Sequence, residues 1–351
     1  MKIGDDVKLD FSDVLIRPKR SNLDSRSRVD LNRTFIFKIT DNKTILWTGV
    51  PIIAANMDTI GTFEMAESLN NFNIMCAIHK YYSIEDWGTN LSISDIKLNN
   101  NIIYTMGMGS NEQDKSELDK AIKILSKYEH IKFICLDVAN GYTEKFVKYV
   151  STVRLTFPNH IIIAGNVVTR EMTEALILAG ANIIKIGIGP GSVCTTRKVA
   201  GVGYPQLSSI MECADAAHGI GGYIISDGGC TCPGDVAKAF GAGADFVMIG
   251  GMFAGADEAA GVVIDGGKEF YGMSSQEAMC KYVGDVATYR AAEGKKVNVK
   301  EVGPVSNIVQ QILGGVRSAC TYVGAARLKD LSKCTSFIRV NRQINNMWDI
   351  L

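Results

Sequence analysis

From residue 51 onward, short apolar segments alternate with longer segments in which apolar residues recur at helical spacing. The apolar segments lack the polar alternation of a half-exposed sheet, so they predict parallel strands buried on both faces. They lie at residues 51–55, 74–78, 101–105, 133–136, 160–164, 183–186, 223–226 and 245–249. The main helices predicted between them cover residues 62–70, 112–127, 142–156, 169–180, 204–218 and 233–240. Eight strand–helix units favour a closed α/β fold, the (β/α)8 TIM barrel, over an open doubly wound sheet.

Residues 1–50 precede these alternating strand and helix segments and are polar and charge-rich, so we expect an N-terminal extension. Its basic cluster, which runs from Arg17 to Arg28, is either a solvated surface or a clamp for a phosphate-bearing ligand. The sequence alone leaves both interpretations open.

Residues 252–303 interrupt the last unit of the barrel. A predicted β-hairpin is followed by a polar turn in a charged stretch without an obvious core face, which is typical of an inserted lid. The last barrel helix is predicted over residues 308–321, and a further helical stretch over residues 325–332. We therefore expect one catalytic domain across residues 1–351.

Composition and charge argue against several classes of function. The chain has 37 basic and 37 acidic residues, so nothing indicates a nucleic-acid-binding surface. It has no apolar run near ~20 residues and no signal-like N-terminus, so we expect no membrane partner and a cytoplasmic location. Nine cysteines without framework spacing fit a reducing compartment. Four dispersed histidines and the tight Cys230–Cys232 pair argue against a zinc site.

Residues 187–197, Gly-Ile-Gly-Pro-Gly-Ser-Val-Cys-Thr-Thr-Arg, follow the sixth predicted strand. Three glycines and a proline predict a loop whose backbone turns sharply and can approach a ligand. A thiol in such a loop, Cys194, is placed like a nucleophile. The alternative is a surface turn that happens to hold a cysteine.

Glycine pairs follow the seventh and eighth predicted strands, as Gly228-Gly229 and Gly250-Gly251. Barrel enzymes often bind a phosphate at these two loops, where backbone N–H groups can reach its oxygens. Asp227, directly before the first pair, is better suited to accept hydrogen bonds from ribose hydroxyls. The alternative is that the glycines serve only to make tight turns.

Residues 187–197 closely resemble the catalytic loop shared by inosine monophosphate dehydrogenases and guanosine monophosphate reductases, and the resemblance covers essentially the whole chain. Residues 13–20, 137–142, 203–206 and 270–275 look like the reductase branch. The paired regulatory (CBS) domain of the dehydrogenases has only a short connector, around residues 87–100, in its place. The resemblance implies NADPH-dependent reductive deamination of GMP to IMP, a step of purine salvage, through a thioimidate on Cys194.

The resemblance also implies roles for individual residues. Cys194 would be the nucleophile, with Thr196 and Glu293 in proton transfer, although Glu293 judged by sequence alone is more simply a solvated lid residue. The nucleotide would be held by Asp227, Gly228, Gly229, Gly250, Gly251, Gly272, Met273, Ser274, Arg290, Ala291, Ala292, Glu293 and Gly294.

Cofactor and cation sites follow from the same resemblance, together with a homotetramer whose cofactor site borrows residues from a neighbouring subunit. The cofactor residues would be Ser25, Arg26, Lys80, Asp137, Val138, Ala139, Ile188, Gly189, Met273, Tyr289, Arg290, Ser318, Ala319, Cys320 and Thr321. A basic group such as Arg26 or Lys80 suits a 2′-phosphate, which favours NADPH. A K+ ion would lie at Gly189, Gly191, Cys194 and Arg197.

Three other functions are compatible with these motifs. One is the dehydrogenase direction, in which IMP is oxidised to XMP with NAD. Another is a nucleotide-binding sensor that has lost catalysis, against which the intact Cys194, Thr196 and Glu293 argue. The third is a flavin-dependent barrel oxidoreductase, which a colourless purified protein would exclude.

Overall fold

The computed structural model describes residues 3–40, 43–93, 101–284 and 291–341. The strands in these ranges are β1 (Val14–Ile16), β2 (Arg33–Thr40), β3 (Lys43–Gly49), β4 (Ile52–Ala54), β5 (Met75–Ile78), β6 (Ile102–Met106), β7 (Phe133–Asp137), β8 (Ile161–Val167), β9 (Ile183–Ile186), β10 (Tyr223–Asp227), β11 (Phe246–Ile249), β12 (Val263–Ile264), β13 (Gly267–Tyr271), β14 (Lys296–Lys300) and β15 (Phe337–Arg339).

The helices in the same ranges are α1 (Phe63–Asn70), α2 (Ile84–Ile93), α3 (Asn111–Lys127), α4 (Glu144–Thr156), α5 (Arg170–Leu178), α6 (Thr196–Val199), α7 (Gln206–Gly219), α8 (Pro233–Gly241), α9 (Gln276–Val283), α10 (Val305–Val323) and α11 (Leu331–Cys334). Short 3-10 turns lie at Phe11–Asp13, Arg26–Arg28, Gly251–Phe253 and Leu328–Asp330. Among the described helices none is long and apolar enough to cross a membrane.

A closed barrel of parallel strands, β4 to β11, forms the centre of the described chain. Pairing of Met248 on β11 with Ile53 on β4, and of Ile53 with Met75 on β5, closes the ring. The predicted (β/α)8 barrel is confirmed. The fifth barrel strand, β8, is longer than predicted and continues to Val167, with a shift of register between Gly165 and Val167.

The barrel strands bury side chains on both faces, as their apolar composition predicts. One set, which includes Ile53, Ile183 and Ile225, packs inside the barrel. The alternate set, which includes Ile184 and Ile224, packs against the surrounding helices. Side chains of a strand alternate between two sides, so residues with the parity of Ile183 point inward.

A β-hairpin made of β2 and β3 packs against the interior cluster of the barrel, a feature that the sequence interpretation missed. Phe35, Phe37 and Trp47 are each at most 3% exposed and join that cluster. The Phe35 ring stacks on Phe246 of β11, with centroids 4.3 Å apart. The Trp47 indole N–H donates to Asn101 Oδ1 at 3.0 Å. Residues 1–50 are therefore only partly a solvated extension.

Residues 252–303 contain an antiparallel sheet of β12, β13 and β14 within the described chain. The predicted hairpin is confirmed, with Val263 paired to Lys268. The third strand of the sheet, β14, was not predicted, because residues 289–295 were interpreted as a polar turn and the charged stretch around them showed no obvious core face. Lys268 is 6% exposed, and its ammonium donates to three backbone carbonyls, those of Ala256, Asp257 and Ala259, at 2.7–2.8 Å.

The C-terminal region differs from prediction in its second part. Helix α10 covers the predicted last barrel helix and extends beyond it at both ends. The helical stretch predicted over residues 325–332 is wrong, because Gly324 adopts a left-handed conformation that ends α10. A short turn and α11 follow, and β15 then pairs with β1.

Candidate active site

The catalytic loop, residues 187–197, leaves β9 at the carboxyl edge of the barrel. Gly187 makes this exit possible, because a Cβ there would lie 2.1 Å from the carbonyl oxygen of Asp227 on the next strand. The Cys194 N–H donates to the Gly191 carbonyl at 3.0 Å, which folds the loop back on itself. The thiol is half-buried at the end of this turn.

Glu293 reaches the thiol through Thr196. Cys194 Sγ donates to Thr196 Oγ1 at 3.3 Å, and that hydroxyl donates to Glu293 Oε2 at 2.7 Å. The backbone fixes the pair, because Thr195 N–H donates to the Glu293 carbonyl and Lys295 N–H donates to the Val193 carbonyl. The structure thus joins the three predicted catalytic residues, which sequence separates by up to 99 positions.

The glycine loops predicted to hold the nucleotide surround the catalytic loop. A Cβ at Gly228 would lie 3.2 Å from Gly191 N, and one at Gly251 would lie 2.8 Å from Ser192 Oγ. A Cβ at Gly272 would lie 3.1 Å from the Val193 carbonyl oxygen. At each position the glycine lets the backbone pack closely on the catalytic loop, where an added side chain would be tightly confined.

Other residues of this group contact the catalytic loop or the segments next to it. Gly229 is beside Pro190, and Gly250 is beside Met57. Glu293 N–H donates to the Ser274 carbonyl at 3.0 Å, which brings the segments 272–275 and 291–294 together. Those segments include Met273, Ala291, Ala292 and Gly294. Tyr289 and Arg290 lie outside the described residues.

A buried ionic cluster lies beside the loop. Lys185 Nζ contacts Asp137 Oδ1 at 2.7 Å and Asp227 Oδ2 at 3.2 Å. Burial pushes the pKa of Asp137 upward, but the charges of Lys185 and Lys80 hold that pKa below its usual range. Val138 N–H donates to the Gly165 carbonyl, which fixes the chain after Asp137, where Ala139 follows.

A second group of predicted cofactor residues lies on the outer helix α10 rather than among the loops of the rim. The turn that holds Ser25 and Arg26 packs against α10, where Ser318, Ala319 and Thr321 are half-buried. Cys320 is fully buried in the core, so in this chain it is not accessible to a ligand.

Arg197 lies against the loop that is predicted to bind a cation. Its side chain passes Gly189, where a Cβ would lie 2.5 Å from Arg197 Cγ. Its guanidinium pairs with Asp10 Oδ2 at 2.8 Å and donates to the Tyr204 carbonyl at 2.6 Å. Among the described residues, no group of three or more His, Cys, Asp or Glu side chains could hold a metal ion.

The chain is similar to known proteins over nearly its whole length. The model of the IMP dehydrogenase / GMP reductase domain matches residues 8–345. The chain belongs to this family. It is 59% identical to GMP reductase 2 of Bos taurus over 346 residues, which is 97% of each chain. It is 58% identical to a GMP reductase of Phytophthora infestans, covering 99% of this chain and 94% of that one. It is 56% identical to a GMP reductase of Salmonella typhi over the full length of both.

Sequence reasoning missed several residues that lie beside the predicted site. Lys185 was counted as part of an apolar strand, although a lone lysine within such a strand is itself a signal. Asn166, which donates to Asp227 Oδ2 at 2.8 Å, and Asp10, which pairs with Arg197, gave no local signal. Their partners are 61 and 187 positions away, which no local pattern reveals.

Proposed function

We propose that the protein is a GMP reductase, which converts GMP to IMP and ammonia with a reduced nicotinamide cofactor. The observation that carries the proposal is the hydrogen-bonded series from Cys194 through Thr196 to Glu293. It places a nucleophile and a proton-transfer pair together, on a loop that resembles the family's catalytic loop. Relatives named GMP reductase that match nearly the whole chain support the same assignment.

The Cys194 sulfur serves as the nucleophile. Guanine C2 is a poor electrophile, and its amino group leaves poorly. Addition of the thiolate forms a C–S bond at C2 and gives a tetrahedral adduct. The C–N bond then breaks, and a thioimidate remains on Cys194. This intermediate accepts a hydride more readily than guanine does.

Thr196 and Glu293 serve in proton transfer. The departing amine must take up a proton before it leaves as ammonia, and a positioned hydroxyl or carboxyl supplies it. The 2.7 Å bond from Thr196 to Glu293 gives a short path for that proton. Because Glu293 comes from the inserted segment, residues 252–303, that segment acts as a lid that completes the site when shut.

The cofactor enters beside the buried ionic cluster. NADPH, when bound, supplies the hydride that adds to C2, after which the C–S bond breaks and IMP is released. Asp137 and Lys80 are both partly exposed at this edge of the barrel, which suits hydroxyl and phosphate groups respectively. Arg26 or Lys80 would meet a 2′-phosphate, which is the reason for choosing NADPH over NADH.

The second group of cofactor residues supports a homotetramer. Residues 318–321 lie on the outer helix α10, and the turn that holds Ser25 and Arg26 packs against that helix. They would complete the cofactor site of a neighbouring subunit. The cysteine content favours a cytoplasmic location.

A monovalent cation, K+, would be held by the carbonyls of Gly189, Gly191 and Cys194. Backbone oxygens on a tight turn are hard ligands that suit such an ion. The positive charge of Arg197 is balanced by Asp10 at 2.8 Å, which makes the loop compatible with a nearby cation.

The nucleotide is held by the loops that surround Cys194. Asp227 accepts hydrogen bonds from the ribose hydroxyls, and the glycine N–H groups after β10 and β11 bind the phosphate. Close packing of Gly228 and Gly251 against the catalytic loop supports this placement.

Two reactions distinguish this proposal from its alternatives. Protein mixed with GMP and NADPH should oxidise the cofactor, and protein mixed with IMP and NAD should form no XMP. Formation of XMP would identify the dehydrogenase direction instead. Binding of GMP without NADPH oxidation would indicate a sensor, and a yellow purified protein would indicate a flavin enzyme.

A further inference from the structure

Lys185 is a charged side chain in the interior of the barrel. It lies on β9 between buried isoleucines and is 2% exposed. Ile183, two residues earlier, belongs to the interior cluster, so the alternation of the strand turns Lys185 inward as well. Burying an ammonium is costly unless acceptors surround it.

The acceptors of Lys185 come from three other strands. Its Nζ contacts Asp137 Oδ1 at 2.7 Å, Asn56 Oδ1 at 3.1 Å and Asp227 Oδ2 at 3.2 Å. These residues follow β4 or end β7 and β10, so the ammonium reaches across the barrel interior. Three acceptors match the three N–H donors of an ammonium.

The backbone of β8 is shaped around this lysine. A Cβ at Gly165 would lie 2.5 Å from Lys185 Cβ, so only glycine lets the two strands approach here. The next residue, Asn166, donates its amide N–H groups to Asp227 Oδ2 and to the Gly187 carbonyl, each at 2.8 Å. Lys185 and Asn166 thus hold the same oxygen of Asp227.

Charge explains why an ammonium is needed. The cluster holds two carboxylates, which would repel each other without a cation between them. Lys80 faces Asp137 from the rim, and the Cys135 thiol lies beside Lys185 with a pKa that burial raises to about 12. Lys185 is therefore the cation that contacts both carboxylates.

We propose that Lys185 is a positioning residue that orients Asp227 toward the nucleotide ribose and Asp137 toward the cofactor, so that one buried ammonium prepares both binding sites. This inference rests on the proposed function. Each carboxylate gives one oxygen to Lys185 and is still partly exposed, by 21% for Asp227 and 27% for Asp137. The exposed edges can accept hydroxyl hydrogen bonds from two different ligands.

The test compares Lys185→Met with the wild-type protein. Methionine keeps most of the side-chain volume and removes the charge. We expect the KM values for GMP and for NADPH to rise together, each by ~10-fold or more, because a charge-assisted hydrogen bond is lost at both carboxylates. The acid limb of the kcat/KM profile should move to higher pH, since Asp137 loses the nearby cation that holds its pKa below the usual range.

Lys268→Met is the matched control. Lys268 is also a buried lysine with three oxygen contacts, but its acceptors are backbone carbonyls. Its replacement should lower stability without the paired rise in KM or the shifted acid limb. If Lys185→Met behaves like Lys268→Met, or raises the KM of only one ligand, the positioning role is wrong.

A double variant keeps the test valid if Lys185→Met does not fold. Lys185→Met/Asp137→Asn removes one positive and one negative charge, which leaves the net charge of the cluster unchanged. We expect the affinities for both GMP and NADPH to stay weakened, since Asp227 still lacks the ammonium of Lys185 and residue 137 has lost its carboxylate. Loss of GMP affinity with retained NADPH affinity would overturn the proposal.

Calorimetric titration of GMP and NADPH separates this inference from the proposed function. Dissociation constants report on Asp227 and Asp137 whether or not the wild-type protein turns over. Wild-type protein that binds both ligands without reaction would refute the proposed function alone. Unchanged dissociation constants for both ligands in Lys185→Met would refute the positioning role alone.

Discussion

At the scale of single residues, Cys194 is held by contacts that do not depend on its sulfur. Its N–H donates to the Gly191 carbonyl, and the chain on either side is bonded to residues 293–295. The thiol itself contacts Thr196. The loop should therefore keep its shape when the sulfur is removed.

Cys194→Ala should abolish turnover and leave GMP binding measurable. The C–S bond cannot form, so we expect the rate of NADPH oxidation to fall by at least ~10³-fold. Cys280→Ala, which removes an exposed thiol on α9, is the control and should keep wild-type activity. Substantial turnover by Cys194→Ala would refute the covalent mechanism.

The sequence predicts some of these residues and not others. Cys194 stands out because its glycine loop is local. Glu293 required the family resemblance, since a lone acid in a polar segment has no distinctive pattern. Lys185 could have been found from strand parity, because Ile183 and Lys185 share the inward face of β9. Asn166 required the structure, since its position depends on how β8 meets β9.

At the scale of elements, the β2–β3 hairpin fills one part of the barrel interior with aromatic rings. Trp47 is 3% exposed and contacts Phe35 and Phe246. Its neighbour Leu46 faces away and is 59% exposed. The two positions allow the core contribution of the hairpin to be measured within one strand.

Trp47→Ala should lower the free energy of unfolding by about 3–5 kcal/mol, through lost burial and a cavity in the barrel. Leu46→Ala should change it by less than about 0.5 kcal/mol, because its side chain is already solvated. Urea unfolding followed by circular dichroism measures both. Equal effects at the two positions would mean that the hairpin does not plug the barrel.

Asp58 connects the inserted segment to the barrel. It is 5% exposed, and its Oδ2 accepts from Tyr271 at 2.6 Å, Tyr282 at 2.7 Å and Lys281 at 2.9 Å. Burial raises the pKa of Asp58, but these hydrogen bonds outweigh it and hold the pKa below its usual range. The predicted nucleotide segment, residues 272–275, begins directly after Tyr271.

Tyr271→Phe removes one donor from this buried carboxylate. We expect a loss of about 1–3 kcal/mol in stability and a rise in the KM for GMP, because the segment after Tyr271 is less firmly held. Tyr322→Phe, at a site 60% exposed, should alter neither quantity. A KM for GMP that stays unchanged in Tyr271→Phe would show that the Asp58 contacts do not serve the site.

The elements themselves were predicted unevenly. Apolar runs located every strand of the barrel because burial on both faces leaves an unambiguous pattern. The β2–β3 hairpin was missed although Phe35, Phe37 and their neighbours alternate, because charge dominated the interpretation of residues 1–50. The region after α10 was predicted as helix because Gly324 was not recognised as a cap.

At the scale of the whole molecule, the buried His79 and the half-buried His160 make stability depend on pH. His79 stacks on Tyr82 with centroids 4.1 Å apart, and burial lowers its pKa to about 4. Burial also lowers the pKa of His160 to about 4. The unfolded chain binds protons at these residues below about pH 6.5, whereas the folded chain does not until about pH 4.

Stability should therefore fall as pH decreases from about 6.5 to 4. His79 alone contributes up to ~3 kcal/mol of this change. His218 acts in the opposite direction. The hydrogen bond between His218 and Asp245 raises the pKa of His218, so the stability that this histidine contributes is lost as pH rises. Thermal unfolding across this range measures the slope, and His79→Gln should reduce it. An identical slope in the variant would contradict the burial of a neutral His79.

The barrel fold brings the site residues together, because the carboxyl ends of all its parallel strands lie at one rim. Asp137, Lys185 and Asp227 lie near or at the ends of three different strands and meet in one cluster. This convergence was predictable from strand order alone. The packing of the Ser25 turn on α10, which carries residues 318–321, was not predictable in this way. It is compatible with the proposed assembly, in which a neighbouring subunit borrows these residues for its cofactor site.

The most direct test of the central claim is the stoichiometry of one reaction. Protein is mixed with GMP and NADPH, the reduced-nicotinamide absorbance is followed, and ammonia and IMP are measured in the same sample. We expect one ammonia and one IMP for each NADPH oxidised, and none of these products from the Cys194→Ala variant. NADPH oxidation without matching ammonia, or no oxidation at all with correctly folded protein, would contradict the assignment.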